Sequence, residues 1–305
     1  MADMQHPGVH DPVMTWGEDG RCYLFNTGNG IGCLSSADMK TWRHEAPVFK
    51  EAPAWATDMV KGYRGHTWAP DITHVNGTWY LYYSCSTFGS NTSAIGLATN
   101  KTLDRHSAKF KWEDQGLVIR SERGKDNWNA IDPNLIIDKK GNPWLTFGSF
   151  WDGIQLVRLD QDMHTPVGKP RTIARRRNPE AQRKHEGNSN AVEAPFIIYN
   201  EGYYYLFVSF DYCCRGLQST YKTAVGRARN IQGPYRDKDG KKMLLGGGTV
   251  IAGPDKDYAG VGHCGVYSHE GAWWFVAHGY DKTRGGQSKL VLKPLHFTDG
   301  WPVLE

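Results

Sequence analysis

The sequence predicts an all-β protein, a five-bladed β-propeller. Aromatic residues make up 12% of the 305-residue chain and Gly is abundant at 35 residues, a composition that favours short strands joined by turns. Segments with a helical pattern are scarce. Five aromatic or apolar runs recur along the chain: CYLFNTG from residue 22, WYLYYSCS from 79, WLTFGSF from 144, YYYLFVSF from 203 and WWFVAHG from 273.

A repeat underlies these runs. Counting back 13 positions from the central aliphatic residue of each run leads to Asp11, Trp68, Asp132, Glu193 and His263. They are spaced by 57 to 70 residues, and self-similarity on this scale is typical of propellers and other repeat proteins. Three of these residues lie in the similar short motifs HDPV, IDPN and VEAP, and the motif WAPD is similar to them.

Each repeat contains signals for four strands. Turn sequences such as VNGTWY, KKGNPW and YNEGYY precede second strands, because Asn and Gly adopt the backbone angles of a hairpin turn. Third strands are visible in AIGLATN, GIQLVRL, AVGRARN and SKLVLKPL, and weaker fourth strands in TWRHEAPVF and KWEDQGLVI. Parallel β/α units are disfavoured because the segments between runs lack amphipathic helical patterns. We therefore predict one domain with blades at about 9–60, 66–120, 129–185, 190–250 and 260–305.

The in-phase residues are expected to meet, since the first strand of every propeller blade lines the central channel. A single Asp before Pro is usually a turn residue, but three acids in phase indicate a function. Carboxylates held close raise the pKa of at least one of them, which yields a neutral acid beside an ionised base. Glycoside hydrolysis uses such a pair.

Aromatic side chains near the acids are candidates for stacking on sugar rings. Trp68 is the first of them, and Phe88 and Trp151 follow in loops after second strands. The phase of His263 suggests that it binds a hydrated ion or tunes the acids, although a hydrogen-bonded channel histidine would look the same.

Charge and hydropathy exclude other classes. The net charge of +4 is mild and forms no long basic stripe, which disfavours nucleic acid as a partner. No apolar segment is long enough to cross a membrane. The N-terminus has no apolar signal core, so the chain is interpreted as cytoplasmic or as a mature form without its leader. The basic segment 171–187 is expected to be a solvated loop, with a contact surface as the alternative.

The cysteines are too few and scattered for a disulfide scaffold; they are Cys22, Cys33, Cys85, Cys213, Cys214 and Cys264. None has the spacing of a zinc site. We expect buried thiols, because neighbouring cysteines such as Cys213 and Cys214 are rarely bridged, and we keep a bridged or redox-active pair as the alternative.

Long strings of the sequence resemble glycoside hydrolase family 43, and within it the endo-1,5-α-L-arabinanases. They include TWAPDITHVNGTWYLYYSCSTFGSNTSAIGLATN, NAIDPNLIIDKKGNPWLTFGSFWDGIQL, AVEAPFIIYNEGYYYLFVSFDYCCRG and VGHCGVY. The resemblance spans nearly the whole chain. It implies an inverting hydrolase that cleaves α-1,5 linkages within linear arabinan and arabino-oligosaccharides.

The resemblance also implies roles for individual residues. Asp11 would be the general base, Glu193 the general acid, and Asp132 the carboxylate that raises the pKa of the acid and orients it. An inverting mechanism separates base and acid by about 6.5–9.5 Å. His263 would approach a calcium or similar ion at the propeller axis, largely through water. The implied substrate contacts, besides the aromatic residues above, are Asn134, Ser149, Phe150 and Arg215, the last of which could instead be a structural loop residue.

Two alternatives remain open from the sequence. An exo-acting arabinanase, β-xylosidase or arabinofuranosidase needs a groove closed at one end, and the segment 171–187 ahead of Glu193 could supply that closure. A non-catalytic sugar-binding propeller is a different class, and the presence of all three acids argues against it.

Overall fold

The computed structural model describes residues 4–177 and 190–305. The first five strands are β1 (Val13–Trp16), β2 (Cys22–Asn26), β3 (Gly28–Asn29), β4 (Gly32–Ser36) and β5 (Arg43–Glu45). The next four are β6 (His66–Val75), β7 (Thr78–Cys85), β8 (Ser93–Asn100) and β9 (Glu113–Ser121). A short helix, α1 (Ala54–Met59), lies between β5 and β6. Among the described residues, no helix is long and apolar enough to span a membrane.

The remaining strands complete three further sheets. They are β10 (Asn134–Ile137), β11 (Pro143–Phe147), β12 (Ile154–Leu159) and β13 (Pro166–Ala174); β14 (Val192–Asn200), β15 (Tyr203–Phe210), β16 (Lys222–Ala228) and β17 (Thr249–Ala252); and β18 (Tyr258–His269), β19 (Ala272–Asp281), β20 (Gln287–Thr298) and β21 (Trp301–Leu304). Within residues 4–177 and 190–305, three 3₁₀ turns cover Gly216–Gln218, Met243–Leu245 and Lys282–Arg284.

Five antiparallel sheets form the blades of a β-propeller, as predicted. Strands follow one another in each blade, except that β3 pairs with β6 and joins the second blade. The first strands β1, β6, β10, β14 and β18 contact their neighbours in a closed ring. Tight two-residue turns with both residues at positive φ connect several pairs, as at Asn76-Gly77 and Glu201-Gly202.

Apolar clusters fill the spaces between adjacent blades. The cluster between the fifth and first blades contains Met14, Leu24 and Trp42 from one side and Val276 and Leu290 from the other. All strands of the first blade come from the start of the chain and all strands of the fifth from its end. The ring is therefore closed by packing and by single hydrogen bonds, such as that from the amide of Leu290 to the carbonyl of Pro7, and not by an exchanged strand.

The start of each blade carries one residue at positive φ, between 31° and 57°, and in the second, fourth and fifth blades it lies in a β-bulge; these residues are Asp11, Ala69, Asp132, Ala194 and His263. The amide of each donates to a side chain of the preceding blade over 2.7–3.1 Å: to His278 Nδ1, Thr27 Oγ1, Ser84 Oγ, Asp132 Oδ2 and Ser209 Oγ, respectively. We call these five donors the bulge amides. They tie each blade to its neighbour at the end of the channel where the in-phase residues lie.

The bulge amides show that the five residues found by counting do not all occupy equivalent positions. Trp68 and Glu193 stand one residue before the left-handed position, whereas Asp11, Asp132 and His263 occupy it. The register of the first two strands shifts immediately after Trp68 and after Glu193. The fifth blade has a register shift between Gly262 and Gly265, yet His263 occupies the left-handed position, so a residue count alone does not locate that position.

The basic segment differs in part from its predicted state. Residues 171–174 belong to β13, so they are strand and not loop. Arg175 pairs with Asp152 at 2.9 Å and Arg176 with Asp211 at 2.9 Å. The rest of the prediction, from residue 178 to 187, lies outside the described residues.

Candidate active site

A cavity of about 1270 Å³ contains all five residues that the repeat singled out. Every blade contributes to its lining, and aromatic side chains occupy much of its wall. Asp11, Asp132 and Glu193 are buried at 9%, 6% and 8% exposure. Three carboxyl groups from three blades thus share one pocket that still reaches solvent.

Asp11 is held as an ionised carboxylate. His10 Nδ1 lies 2.9 Å from its Oδ2, and His263 Nδ1 lies 2.9 Å from its Oδ1. The Thr27 hydroxyl also donates to Oδ2, at 2.5 Å. Burial alone would raise the pKa of Asp11, but the charges and hydrogen bonds of His10 and His263 hold that pKa well below its ordinary value. Asp11 is therefore available to accept a proton from water.

A network of hydrogen bonds behind Asp11 fixes its position. The amide of Asp11 donates to Nδ1 of His278, which must be neutral to accept it. Burial, reinforced by the charge of His10, holds the pKa of His278 well below its ordinary value. The Tyr280 hydroxyl lies 2.9 Å from His10 Nε2 and 3.2 Å from His278 Nε2, so it joins both imidazoles.

Glu193 is held by two hydroxyl groups. Ser149 Oγ donates to Oε2 at 2.7 Å and Tyr221 Oη donates to Oε1 at 2.8 Å. A hydroxyl can rotate to donate or to accept, so these partners can serve both the protonated and the ionised carboxyl. This environment suits a group that must give up a proton and take it back.

Asp132 accepts the Ala194 bulge amide at 3.1 Å, which ties it to the residue next to Glu193. Burial, together with the charges of Glu193 and Asp11 and against the opposing charge of His263, raises the pKa of Asp132 to about 8. Asp132 therefore stays largely protonated near neutral pH. The pocket thus holds an ionised Asp11 together with a protonated Asp132.

We predict that Asp132→Asn is more stable than the natural protein at alkaline pH, although less active. The raised pKa of Asp132 means that its stabilising contribution is complete below the ordinary value of 3.8 and is lost as pH rises towards 8. Asn cannot ionise, so the difference in Tm should grow in favour of the variant between these two pH values. A pH-independent difference in Tm would contradict a raised pKa at this residue.

The sequence of this chain matches the model of a known protein family. The family model described as Glycosyl hydrolases family 43 matches residues 7–302. The chain belongs to glycoside hydrolase family 43. It is a glycosidase, and the resemblance read from the sequence is confirmed.

Relatives within family 43 include both cleavage modes. The chain is 44% identical to an extracellular endo-α-(1→5)-L-arabinanase 1 of Bacillus subtilis, over 96% of this chain and 87% of the relative. A structure of an exo-1,5-α-L-arabinanase from a bovine ruminal metagenomic library superposes with a TM-score of 0.96 at 59% identity, covering 100% and 99% of the two chains. A Cellvibrio cellulosa α-L-arabinanase in complex with arabinohexaose has a TM-score of 0.94 at 42% identity, covering 98% and 96%.

Most predicted substrate contacts of this family 43 enzyme line the cavity: Trp68, Phe88, Ser149, Phe150, Trp151 and Arg215. Phe88 is 86% exposed and stands at the rim. Phe150 and Trp151 both have positive φ, a conformation that bulky residues adopt only where surrounding contacts enforce it. The guanidinium of Arg215 lies 3.9 Å from the centre of the Tyr212 ring. Ser149 contacts Glu193, so it positions the acid.

Asn134 does not contact the cavity, and its prediction as a substrate contact was wrong. It is 2% exposed. Its Oδ1 accepts the amide of Ile197 at 2.9 Å, and its Nδ2 donates to Asp71 at 3.3 Å. Asn134 directly follows the Asp-Pro motif in sequence, but the strand directs its side chain towards the neighbouring blades. Its role is to connect the second, third and fourth blades.

Sequence reasoning missed several residues of the site, namely His10, Thr27, Tyr221, His278 and Tyr280. Thr27 could have been found, because it lies three positions after the central aliphatic residue of its run, as Ser84 and Ser209 do. The third and fifth runs have Gly148 and Gly279 at that position. There Asp132 and His278 accept the bulge amide in place of a hydroxyl.

The cysteines divide into two groups. Cys22, Cys33, Cys85 and Cys264 are buried free thiols, as expected. Cys213 and Cys214 are joined by a disulfide, so the expectation of thiols was wrong for this pair. Both residues of the disulfide line the cavity.

His263 is the described residue that best fits an ion at the axis. Its Nδ1 faces Asp11, and the described part of the chain provides no hydrogen-bond partner for its Nε2. One imidazole nitrogen cannot replace the six to eight oxygen ligands that calcium prefers. The geometry therefore fits an ion that keeps most of its water and does not fit one coordinated directly by protein oxygens.

Proposed function

We propose that this family 43 enzyme hydrolyses α-1,5-linked L-arabinofuranosyl chains with inversion of configuration. The observation that carries the proposal is the division of charge in the pocket. Asp11 is kept ionised by His10 and His263, whereas Asp132, which contacts the backbone beside Glu193, stays protonated. The names of the arabinan-degrading relatives support the substrate class.

In this mechanism, residues of different blades act on the attacking water and on the departing sugar oxygen. Asp11 accepts a proton from water as the water attacks the anomeric carbon, and Glu193 donates a proton to the departing sugar oxygen. Asp132 adds no second negative charge beside Glu193 while it is protonated and, through the Ala194 amide, fixes the backbone next to Glu193. Trp68, Phe88, Phe150 and Trp151 offer faces on which sugar rings can stack.

The mode of cleavage is a finer question, and we propose that the enzyme acts from chain ends. The relative with 59% identity and nearly complete mutual coverage is named an exo-arabinanase, which supports this mode over the endo mode predicted from the sequence. The endo-arabinanase of Bacillus subtilis, at 44% identity, supports the alternative.

Products from linear 1,5-arabinan test both parts of the proposal. An exo mode should release one short oligosaccharide length from the start, while the viscosity of the polymer falls slowly. A ladder of lengths with a rapid fall in viscosity would indicate an endo mode. NMR of the first turnover should show the β-anomer, and an α-anomer would contradict inversion. The absence of any product on arabinan would overturn the substrate class.

We also propose that a hydrated calcium or similar ion is bound by Nε2 of His263. When bound, it would supply positive charge at the axis near the carboxylates. Burial opposes protonation of His263, but Asp11 raises the pKa of this imidazole to about 9, so a proton competes with the ion. Calcium added to chelator-treated protein should raise Tm more at pH 9 than at pH 6. An equal effect at both values, or none, would contradict this site.

A further inference from the structure

We propose that reduction of the Cys213–Cys214 disulfide creates a binding site for a soft, thiophilic divalent cation. Its ligands would be the two cysteine sulfurs and Nε2 of His10. Occupation of this site would inhibit the enzyme. The proposal adds a metal site to the catalytic pocket, and its binding test does not depend on the identity of the sugar substrate.

The three ligand atoms are already close together. Sγ of Cys213, Sγ of Cys214 and a ring nitrogen of His10 all lie within 4.8 Å of one another. Cys214 Sγ is 3.7 Å from His10 Nε2. A tetrahedral zinc-like ion with bonds of about 2.3 Å to sulfur and about 2.0 Å to nitrogen separates such atoms by about 3.6 Å. The sulfur and nitrogen thus have the required spacing, and only the sulfurs must move apart.

Contacts with the rest of the protein fix the loop that carries Cys213 and Cys214. The amide of Cys214 donates to the Tyr280 hydroxyl at 2.7 Å, and Cys214 adopts a left-handed conformation with φ of 63°. Cys213 packs against Tyr221 and Tyr280. Because these contacts involve backbone and apolar atoms, they do not require the disulfide, and the two thiols would remain beside His10 after reduction.

The chemistry of the donors selects the cation. Thiolate and imidazole ligands favour soft or borderline ions such as Cd²⁺ and Zn²⁺ over calcium and magnesium. In the disulfide neither sulfur is a thiolate, so the site does not exist. A phosphine reductant breaks the sulfur–sulfur bond by supplying two electrons; water provides its oxygen to the phosphine oxide and two protons to the thiols. Each thiol releases its proton when it binds the cation.

The other cysteines do not compete for the cation. Cys22, Cys33, Cys85 and Cys264 are buried, and none of them lines the cavity. Burial raises the pKa of Cys33 to about 11 and that of Cys85 to about 12, so these groups remain protonated thiols at neutral pH.

A cation at this site would disturb the catalytic base. His10 uses Nδ1 to contact Asp11 and Nε2 to contact the Tyr280 hydroxyl, both at 2.9 Å. Binding at Nε2 replaces the Tyr280 contact, which links His10 to His278 behind Asp11. His10 is therefore a positioning residue, and loss of this link loosens the hydrogen-bond network that holds Asp11.

The test uses Cd²⁺ as the probe and equilibrium dialysis as the readout. Thiol titration of denatured protein should find four thiols before phosphine treatment and six afterwards. After the phosphine is removed, the reduced protein should bind one more Cd²⁺ per chain than the oxidised protein. Its activity should fall at least tenfold as that site fills, and a chelator should restore it. The oxidised protein should keep its activity.

The double variant Cys213→Ser and Cys214→Ser is the matched control, because it keeps the four buried thiols. It should bind no additional Cd²⁺ after phosphine treatment, and Cd²⁺ should not change whatever activity it has. Equal binding by reduced and oxidised protein, additional binding by the double variant, or full activity of the Cd²⁺-loaded reduced protein would each overturn the proposal. Six thiols before reduction would overturn the disulfide on which it depends.

Discussion

Asp11→Asn is expected to lower kcat on arabinan by about 10²–10⁴-fold, the usual contribution of a positioned general base. The amide can keep the hydrogen bond from Thr27 but cannot accept a proton from water. The change also leaves His10 and His263 without their anionic partner. Removing one member of a buried pair costs about 3–5 kcal/mol, so the Tm should fall together with the activity.

Asp71→Asn is the control for this variant. Asp71 is also a buried carboxyl, at 2% exposure, but it accepts the amide of Leu135 between blades and does not line the cavity. Burial raises the pKa of Asp71 to about 7, so its side chain is partly neutral already. The activity of Asp71→Asn should stay within a few-fold of that of the natural protein. A loss as large as that of Asp11→Asn would show that burial of a carboxylate, and not its role as a base, explains the effect.

Glu193→Gln is expected to lower kcat on arabinan by a similar factor, about 10²–10⁴-fold, with little change in Tm. Gln can keep contacts to the hydroxyls of Ser149 and Tyr221, so packing and hydrogen bonding are largely preserved. What the variant loses is the proton for the departing sugar oxygen. Rates on linear arabinan and circular dichroism of the same samples provide the measurement, and residual activity near that of the natural protein would contradict the assignment.

The five-fold repeat could be predicted because its signals are local. Aromatic runs preceded by a Gly-containing turn recur in every part of the chain that forms a blade, and Pro recurs near the start of the first strand in four of them. The propeller then brings the first strands together by topology alone. This is why Asp11, Asp132, Glu193 and His263 were found before any contact between them was known.

Most partners of the acids could not be predicted, because they depend on contacts between segments that are distant in sequence. His278 contacts Asp11 across 267 positions of sequence, and Tyr221 reaches Glu193 from a loop of the same blade. The offset of Glu193 from the left-handed position depends on the register of β14 against β15, which a residue count does not give. The prediction that Asn134 contacts substrate was wrong for a related reason, since its position near Asp132 in sequence does not determine the direction of its side chain.

Asp11 and Glu193 are assigned to different bonds of the reaction, and the dependence of the rate on the leaving group distinguishes their roles. Aryl arabino-oligosides with a dinitrophenyl group need no proton to leave, whereas those with an unsubstituted phenyl group do. Glu193→Gln should retain near-natural rates on the dinitrophenyl substrate and lose about 10²–10⁴-fold on the phenyl substrate, and Asp11→Asn should be slow on both. Equal losses on both substrates for Glu193→Gln, or recovery of Asp11→Asn on the dinitrophenyl substrate, would contradict these roles.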